Sequence, residues 1–175
     1  MISIKEITHK NQQDINIPNQ PFPLIGRLIP SYQNQAWSSQ AVLFESTEWV
    51  TFPDENYDFE QIQDSHIFIG AYDDNKCVGL AILQKPLFKY IYLHDLKVYA
   101  DYRQQGLASM LIDKAKEIAQ SKGYQGIYTI AQDNNLIACQ FYQKVGFEIG
   151  GLDTRVYKGT AQESKADIYF YLDCD

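Results

Sequence analysis

Cysteine is scarce in this 175-residue chain: there are three, Cys77, Cys139 and Cys174. They are odd in number with no close pair, so neither a disulfide framework nor a zinc spacing follows. The histidines His9, His66 and His94 are equally scattered, and no metal is expected. No apolar run approaches the ~20 residues of a membrane helix. Residues 1–10 hold no apolar stretch of signal-peptide length. A cytoplasmic protein with no membrane contact is expected. Positive charge is also short, with 15 Lys and Arg against 22 Asp and Glu, a net charge of −7. This argues against a general nucleic-acid binder, which clusters basic residues. It suits a cationic small molecule or basic peptide, although acidity also serves solubility alone. Internal repeats and low-complexity blocks are absent, as are Gly-x-x-x-x-Gly-Lys-Ser/Thr and Gly-x-Gly-x-x-Gly.

Aromatic residues are abundant, with 13 Tyr, 9 Phe and 2 Trp. Tyrosine combines an apolar body with a polar tip, and sheet packing accounts for most of them. The first third is the least regular. Residues 11–23 hold three prolines and many amides, as in a loop or capping segment. Leu24–Ile29 is predicted as a strand ended by Pro30, with residues 36–45 as its hairpin partner across a turn near Gln33-Asn34-Gln35. One or two helical turns are predicted over 58–64. From His66 the pattern sharpens: strands at 66–72 and 77–83 around Asp73-Asp74-Asn75-Lys76, and a third at 89–99. A helix follows from about Gly106 to Ser121, where Leu107, Met110, Leu111, Ala115 and Ile118 recur at helical spacing. Then come a strand at 126–131, a helix at 136–144 behind the capping Asp133-Asn134-Asn135, and strands at 147–158 and 167–172. The order predicts a single mixed α/β domain with helices on both sheet faces.

The strand-to-helix junction, Arg103-Gln104-Gln105-Gly106-Leu107-Ala108, carries the first chemical signal. A glycine at a first helical turn lets a ligand approach the backbone, and small Ala108 leaves room. Free amides and the positive dipole end of a helix suit a pyrophosphate, and Arg103 offers a planar charged fork. Taken alone, such a glycine is structural more often than ligand-binding.

A second signal follows one strand and one helix later. Arg-x-x-Gly-x-Ala after a strand, then Asn135-x-x-Ala138-x-x-Phe141-Tyr142-x-x-x-Gly146-Phe147, resembles the GCN5-related N-acetyltransferases. Neither motif is decisive alone; both in order, on one strand–helix–strand–helix frame, are specific. The resemblance covers residues 66–158, with 1–65 as a variable N-terminal part and substrate-side cap and 159–175 as a terminal strand. Gly26-Arg27-Leu28-Ile29-Pro30, Trp37, His94-Asp95-Leu96-Lys97-Val98 and Asp153-Thr154-x-x-Tyr157 are similar to the streptothricin acetyltransferase branch. That branch carries two acids before the valine, and here the first position is His94.

The resemblance implies a mostly antiparallel twisted sheet with a V-shaped split between two parallel strands, ending near Val98 and Ile130, where acetyl-CoA lies. It implies that the Leu96–Val98 strand faces the pantetheine, that the Val98–Tyr99 amides lie near the thioester oxygen and could stabilise an oxyanion, and that the amides of Gln104, Gln105, Gly106, Leu107, Ala108 and the adjoining Ser109 hold the pyrophosphate. Asn135 and Ala138 would meet the cofactor arm. Tyr142 takes the general-acid position; a phenol with a pKa near 10 stays protonated and can donate. Asp95 matches the branch's acid and could bind the substrate ammonium or relay its proton, or simply pair with Lys97. Strand alternation puts Leu93, Asp95 and Lys97 on one face and His94, Leu96 and Val98 on the other. His94 has a pKa suited to a base, although a lone strand histidine is more often structural. Asp153 and Trp37 could close the amine pocket, and Glu45 and Glu48 could cap it.

The expected activity is direct transfer of acetyl from acetyl-CoA to a primary amine of a small molecule, such as the lysine-like amine of streptothricin. Antibiotic resistance is one role this would serve. A protein, peptide or polyamine acetyltransferase is the alternative, and a non-catalytic acyl-CoA-binding module is a rival of another class. The state expected is monomer or homodimer.

Overall fold

The computed structural model describes residues 1–86 and 88–175. In chain order they form β1 (Ile2–Glu6), a 3-10 segment (His9–Asn16), β2 (Phe22–Gln33), β3 (Ala36–Val50), α1 (Phe59–Ile62), β4 (His66–Asp73), β5 (Lys76–Gln84), β6 (Tyr90–Val98), α2 (Leu107–Ser121), β7 (Gly126–Gln132), α3 (Leu136–Lys144), β8 (Glu148–Asp153) and β9 (Asp167–Asp173). Two compact units result: residues 1–21, 51–127 and 174–175, and residues 22–50 and 128–173. Among the described residues no helix is long and apolar enough to cross a membrane.

In the first unit β1, β4, β5 and β6 pair antiparallel in that order. The β4–β5 turn forms where expected, with Asp74 at a φ of 53°, a conformation that Asp tolerates. One sheet face carries Phe68, Leu80 and Ile82 against Ile7, which follows β1, Ile15 of the 3-10 segment and Phe59 of α1. On the opposite face α2 presents Leu111, whose Cδ1 would lie 3.4 Å from a Cβ at Gly79.

Three local readings change. The N-terminal loop is helical over His9–Asn16, capped by Thr8, whose side chain accepts from the Lys10 N–H. Residues 2–6 form a strand that only β4 completes. The strand expected over 147–158 stops at Asp153, because the Asp153 Oδ1 accepts the Arg155 and Val156 N–H groups at 2.8 and 3.0 Å and bends the chain.

In the second unit β8 pairs antiparallel with β9, and β7 lies on the other side of β9. The β2–β3 hairpin turns at Asn34 and Gln35, with φ of 52° and 62°, as a two-residue turn requires. Both strands outrun the predicted limits, β2 continuing through Pro30. A two-stranded ribbon has only edge strands, where a missing N–H is tolerated. The hairpin docks through Leu28 N–H to Asp133 O at 2.9 Å and a bridge between Gly26 and Asn135. A Cβ at Gly26 would collide with the Val42 carbonyl and the Leu136 side chain, so the close approach depends on glycine.

Candidate active site

The loop between β6 and α2 retains the features of an anion-binding helix end. Gly106 is the N-cap of α2 with a φ of 85°, and no side chain caps it. A Cβ there would meet nothing within 4 Å, so the space above the backbone is open. The first amides of a 15-residue helix lack intrahelical acceptors and sit at its positive pole. Gln104 adopts a φ of 60°, which turns the chain into that end. Leu107 is buried and anchors the turn, Ala108 and Ser109 are half-buried, and Gln105 ties back to the Asp101 carbonyl at 2.8 Å.

Two predicted cofactor contacts are otherwise employed. Arg103 donates from Nε to Val98 O at 3.1 Å and from Nη1 to Pro21 O at 2.9 Å, bracing the loop from below. The Tyr99 N–H donates to Val78 O at 2.9 Å, so of the Val98–Tyr99 amides this one is spent inside the sheet. Strand alternation directs the Val98 N–H, like that of Leu96, away from β5.

On β6 the predicted faces are corrected. A bulge shifts the register so that Leu93 pairs with Leu83 but Asp95 with Ile82. Directly paired residues share a face. Asp95 and Lys97 therefore lie with Ile82 and Leu80, on the side of the 3-10 segment, while Leu93, Leu96 and Val98 lie with Leu83, Ala81 and Gly79. His94 is the extra residue. It is exposed, with its ring 6.0 Å from Tyr57, 5.8 Å from His66 and 5.7 Å from Tyr92.

Asp95 is not an open carboxylate. Its Oδ2 accepts from the Tyr57 hydroxyl at 3.1 Å and lies 3.4 Å from Lys97 Nζ. Lys97 is only 12% exposed and also meets Glu55 Oε2 at 3.0 Å, Asn19 Oδ1 at 2.9 Å and Ile17 O at 3.4 Å. One lysine thus faces two carboxylates. Burial pushes the Asp95 carboxyl up, against the opposing pull of Lys97. Burial also acts to raise Glu55, but hydrogen bonds from Asn19 and Lys97 leave it below its ordinary value. Burial and the Asp95 charge push the Tyr57 phenol far up, fixing it as a donor. Tyr57, Glu55 and Asn19 escaped the sequence reading. Their only signal is a polar stretch at each end of the hairpin insertion.

In the second unit Asn135 caps α3, its Oδ1 accepting from the Ala138 N–H at 3.3 Å. Tyr142 is buried among Phe141, Phe147 and Phe170, with ring centroids 5.2–5.6 Å away. Trp37 pairs with Tyr32 at the hairpin tip, rings 4.9 Å apart. Asp153 is a turn carboxylate, as described above. Cys139 is buried, and burial pushes its thiol up to about 12, so it has no tendency to form the nucleophilic thiolate.

The fold and both motifs define an acetyltransferase, and residues 32–147 match the acetyltransferase (GNAT) family, to which the chain belongs. It is 31% identical over 170 residues to streptothricin acetyltransferase A of Bacillus subtilis (strain 168), covering 96% of this chain and 98% of that protein. A streptothricin acetyltransferase of Escherichia coli is 30% identical over 159 residues, 90% of this chain and 80% of that one. A candidate streptothricin acetyltransferase from Bacillus anthracis str. Ames, solved in complex with acetyl coenzyme A, superposes with a TM-score of 0.85 at 28% identity, covering 99% of each chain. The mixed, mostly antiparallel α/β fold read from the sequence is therefore that of this family, whose enzymes use acetyl-CoA as co-substrate. No group of residues able to hold a metal occurs among those described.

Proposed function

We propose that this acetyltransferase acts on a primary amine of a small cationic molecule, the lysine-like amine of streptothricin being the preferred acceptor. The observation that carries this reading is the excess of carboxylate over cation beside β6, where Asp95 of that strand and Glu55 from the segment before α1 share Lys97. The uncompensated charge suits an ammonium. End-to-end similarity to streptothricin acetyltransferases supports the same acceptor.

An alkylamine with a pKa near 10.4 is only about one part in 2,500 neutral at pH 7. Asp95 attracts the ammonium and relays its proton, with His94 as the exposed base beside it. The freed nitrogen forms a bond to the thioester carbonyl carbon, the carbon–sulfur bond breaks, and Tyr142 supplies the proton taken up by the departing sulfur. The amides of 104–108 hold the pyrophosphate, Val98 N–H faces the carbonyl oxygen, and the Asn135 amide donates to the pantetheine arm. Transfer is direct, in keeping with the inert Cys139.

The test is release of coenzyme A thiol from acetyl-CoA with streptothricin, lysine, polyamines and short peptides as acceptors. Fast release with streptothricin is expected. Release confined to peptides or polyamines would overturn the acceptor, and tight acetyl-CoA binding without release to any amine would favour a non-catalytic binding module.

A further inference from the structure

The segment that precedes α1 is strapped to residues 16–19. The Asn16 side chain clamps Tyr57 both ways, its Nδ2 donating to Tyr57 O at 2.8 Å and its Oδ1 accepting the Tyr57 N–H at 2.7 Å. Asn19 donates from its backbone N–H to Asp54 Oδ1 at 2.8 Å, and from Nδ2 to Pro53 O and Glu55 Oε1, both at 3.0 Å. These bonds hold Tyr57 and Glu55 against the Asp95 and Lys97 side chains of β6, all within the first unit.

The two oxygens of Asp95 then differ. Oδ2 holds both donors, the Tyr57 hydroxyl at 3.1 Å and Lys97 Nζ at 3.4 Å. Oδ1 takes no partner among the described residues, yet it is not sealed in the core, for the Asp95 side chain is 16% exposed. Lys97 cannot serve it, because the three protons of its ammonium already face four acceptors. The titratable groups that face Asp95 are Lys97 on β6 and Glu55 and Tyr57 before α1, while β5 sets apolar Ile82 opposite it. His94, the exposed bulge residue, has its ring among those of Tyr57, His66 and Tyr92. A half-buried carboxylate with one unmatched oxygen asks for a charged N–H donor.

We propose that Tyr57 is a positioning residue for amine recognition: its hydroxyl, with Lys97, fixes Asp95 through Oδ2, so that Oδ1 is the oxygen presented to the ammonium of the acceptor. An untethered carboxylate turns freely about its last torsion. One held at Oδ2 does not, so its ordering is met on folding and not on binding. The phenol suits this task because its surroundings keep it protonated and therefore a donor. The inference rests on the proposed amine-acetyltransferase activity and adds to it a residue that acts through Asp95.

The test compares the wild type with Tyr57→Phe, which keeps the ring and removes the hydroxyl. With streptothricin as acceptor, the KM for the amine should rise about tenfold, the scale set by losing a hydrogen bond to a charged group. The KM for acetyl-CoA stays the same. That bond also favours the charged carboxyl, so the acid limb of the amine kcat/KM profile should move up by about one pH unit. An acid limb that stays in place, an unchanged amine KM, or a rise shared by acetyl-CoA overturns the positioning role. Asn16→Ala releases the Tyr57 backbone and keeps the hydroxyl. It should move both readouts the same way and by less, and it carries the test on the same criteria if Y57F does not fold. If the wild type releases coenzyme A with no amine, the activity proposal fails by itself. The Asp95 carboxyl carbon, identified by its loss in D95N, is then followed by carbon-13 NMR as streptothricin is added. A shift that needs about tenfold more streptothricin in Y57F supports the positioning role; no shift, or one at the same concentration in both proteins, overturns it.

Discussion

Replacing Lys97 by methionine gives the most direct test of the polar cluster on β6. The substitution keeps the length of the side chain and removes the charge. It leaves Asp95, Glu55, Asn19 and the Ile17 carbonyl without their common donor. Removing one partner of a buried ion pair costs about 3–5 kcal/mol. The Glu55 side chain is 32% exposed and partly screened by solvent, so about 2–3 kcal/mol is expected here. In a chain of this size each kcal/mol moves Tm by about 2–4 °C, so Lys97→Met should melt about 4–12 °C lower. Lys97 also opposes the burial that raises Asp95, so the acid limb of the amine kcat/KM profile should move to higher pH. Thermal unfolding of K97M, E55Q and K97M/E55Q forms a double-mutant cycle. The double variant should lose less than the sum of the singles, because no carboxylate is left stranded at Glu55. A K97M protein that melts within a degree of wild type, or strict additivity in the cycle, would refute the reasoning.

Tyr142→Phe should lower kcat by about 10²–10⁴ if the phenol is the acid, while far-UV circular dichroism stays the same because the aromatic cluster keeps its ring. Gly106→Ala should raise the KM for acetyl-CoA and cost about 1 kcal/mol through its left-handed backbone alone, since a Cβ meets no atom there; equilibrium unfolding and acetyl-CoA titration report the two effects. Asp95→Asn tests the raised carboxyl. Folded Asp95 binds its proton at a pH where the unfolded chain has released it, so wild-type stability falls as pH rises from the ordinary carboxylate value through the raised one, and D95N should flatten that slope in urea titrations at pH 3–7. The same variant should remove the acid limb of kcat/KM.

Legibility tracked how locally each feature is determined. The β4–β5 hairpin combines alternating apolar residues with a four-residue polar turn, and both signals lie within 20 residues. The motifs around Gly106 and Tyr142 were readable because each lies on one strand–helix step. β1 was not, because five residues of mixed burial become a strand only beside β4. Lys97 passed for a surface partner of Asp95 because its other partners lie 42, 78 and 80 residues away. The faces of β6 were misassigned at Leu93 because a bulge is set by the partner strand and leaves no mark on its own sequence.

That bulge gives β6 a reading frame. Substituting His94 changes one exposed ring. Deleting it would make Leu93 and Asp95 neighbours, still opposite Leu83 and Ile82, so the ladder would become regular with Asp95, Lys97, Leu96 and Val98 on the faces they already occupy. Point changes at His94 and its deletion should both be tolerated, whereas deleting a regularly paired residue such as Leu96 swaps the faces of those beyond it. A gapless comparison with a relative that lacks the extra residue would match each of these side chains to one on the opposite face.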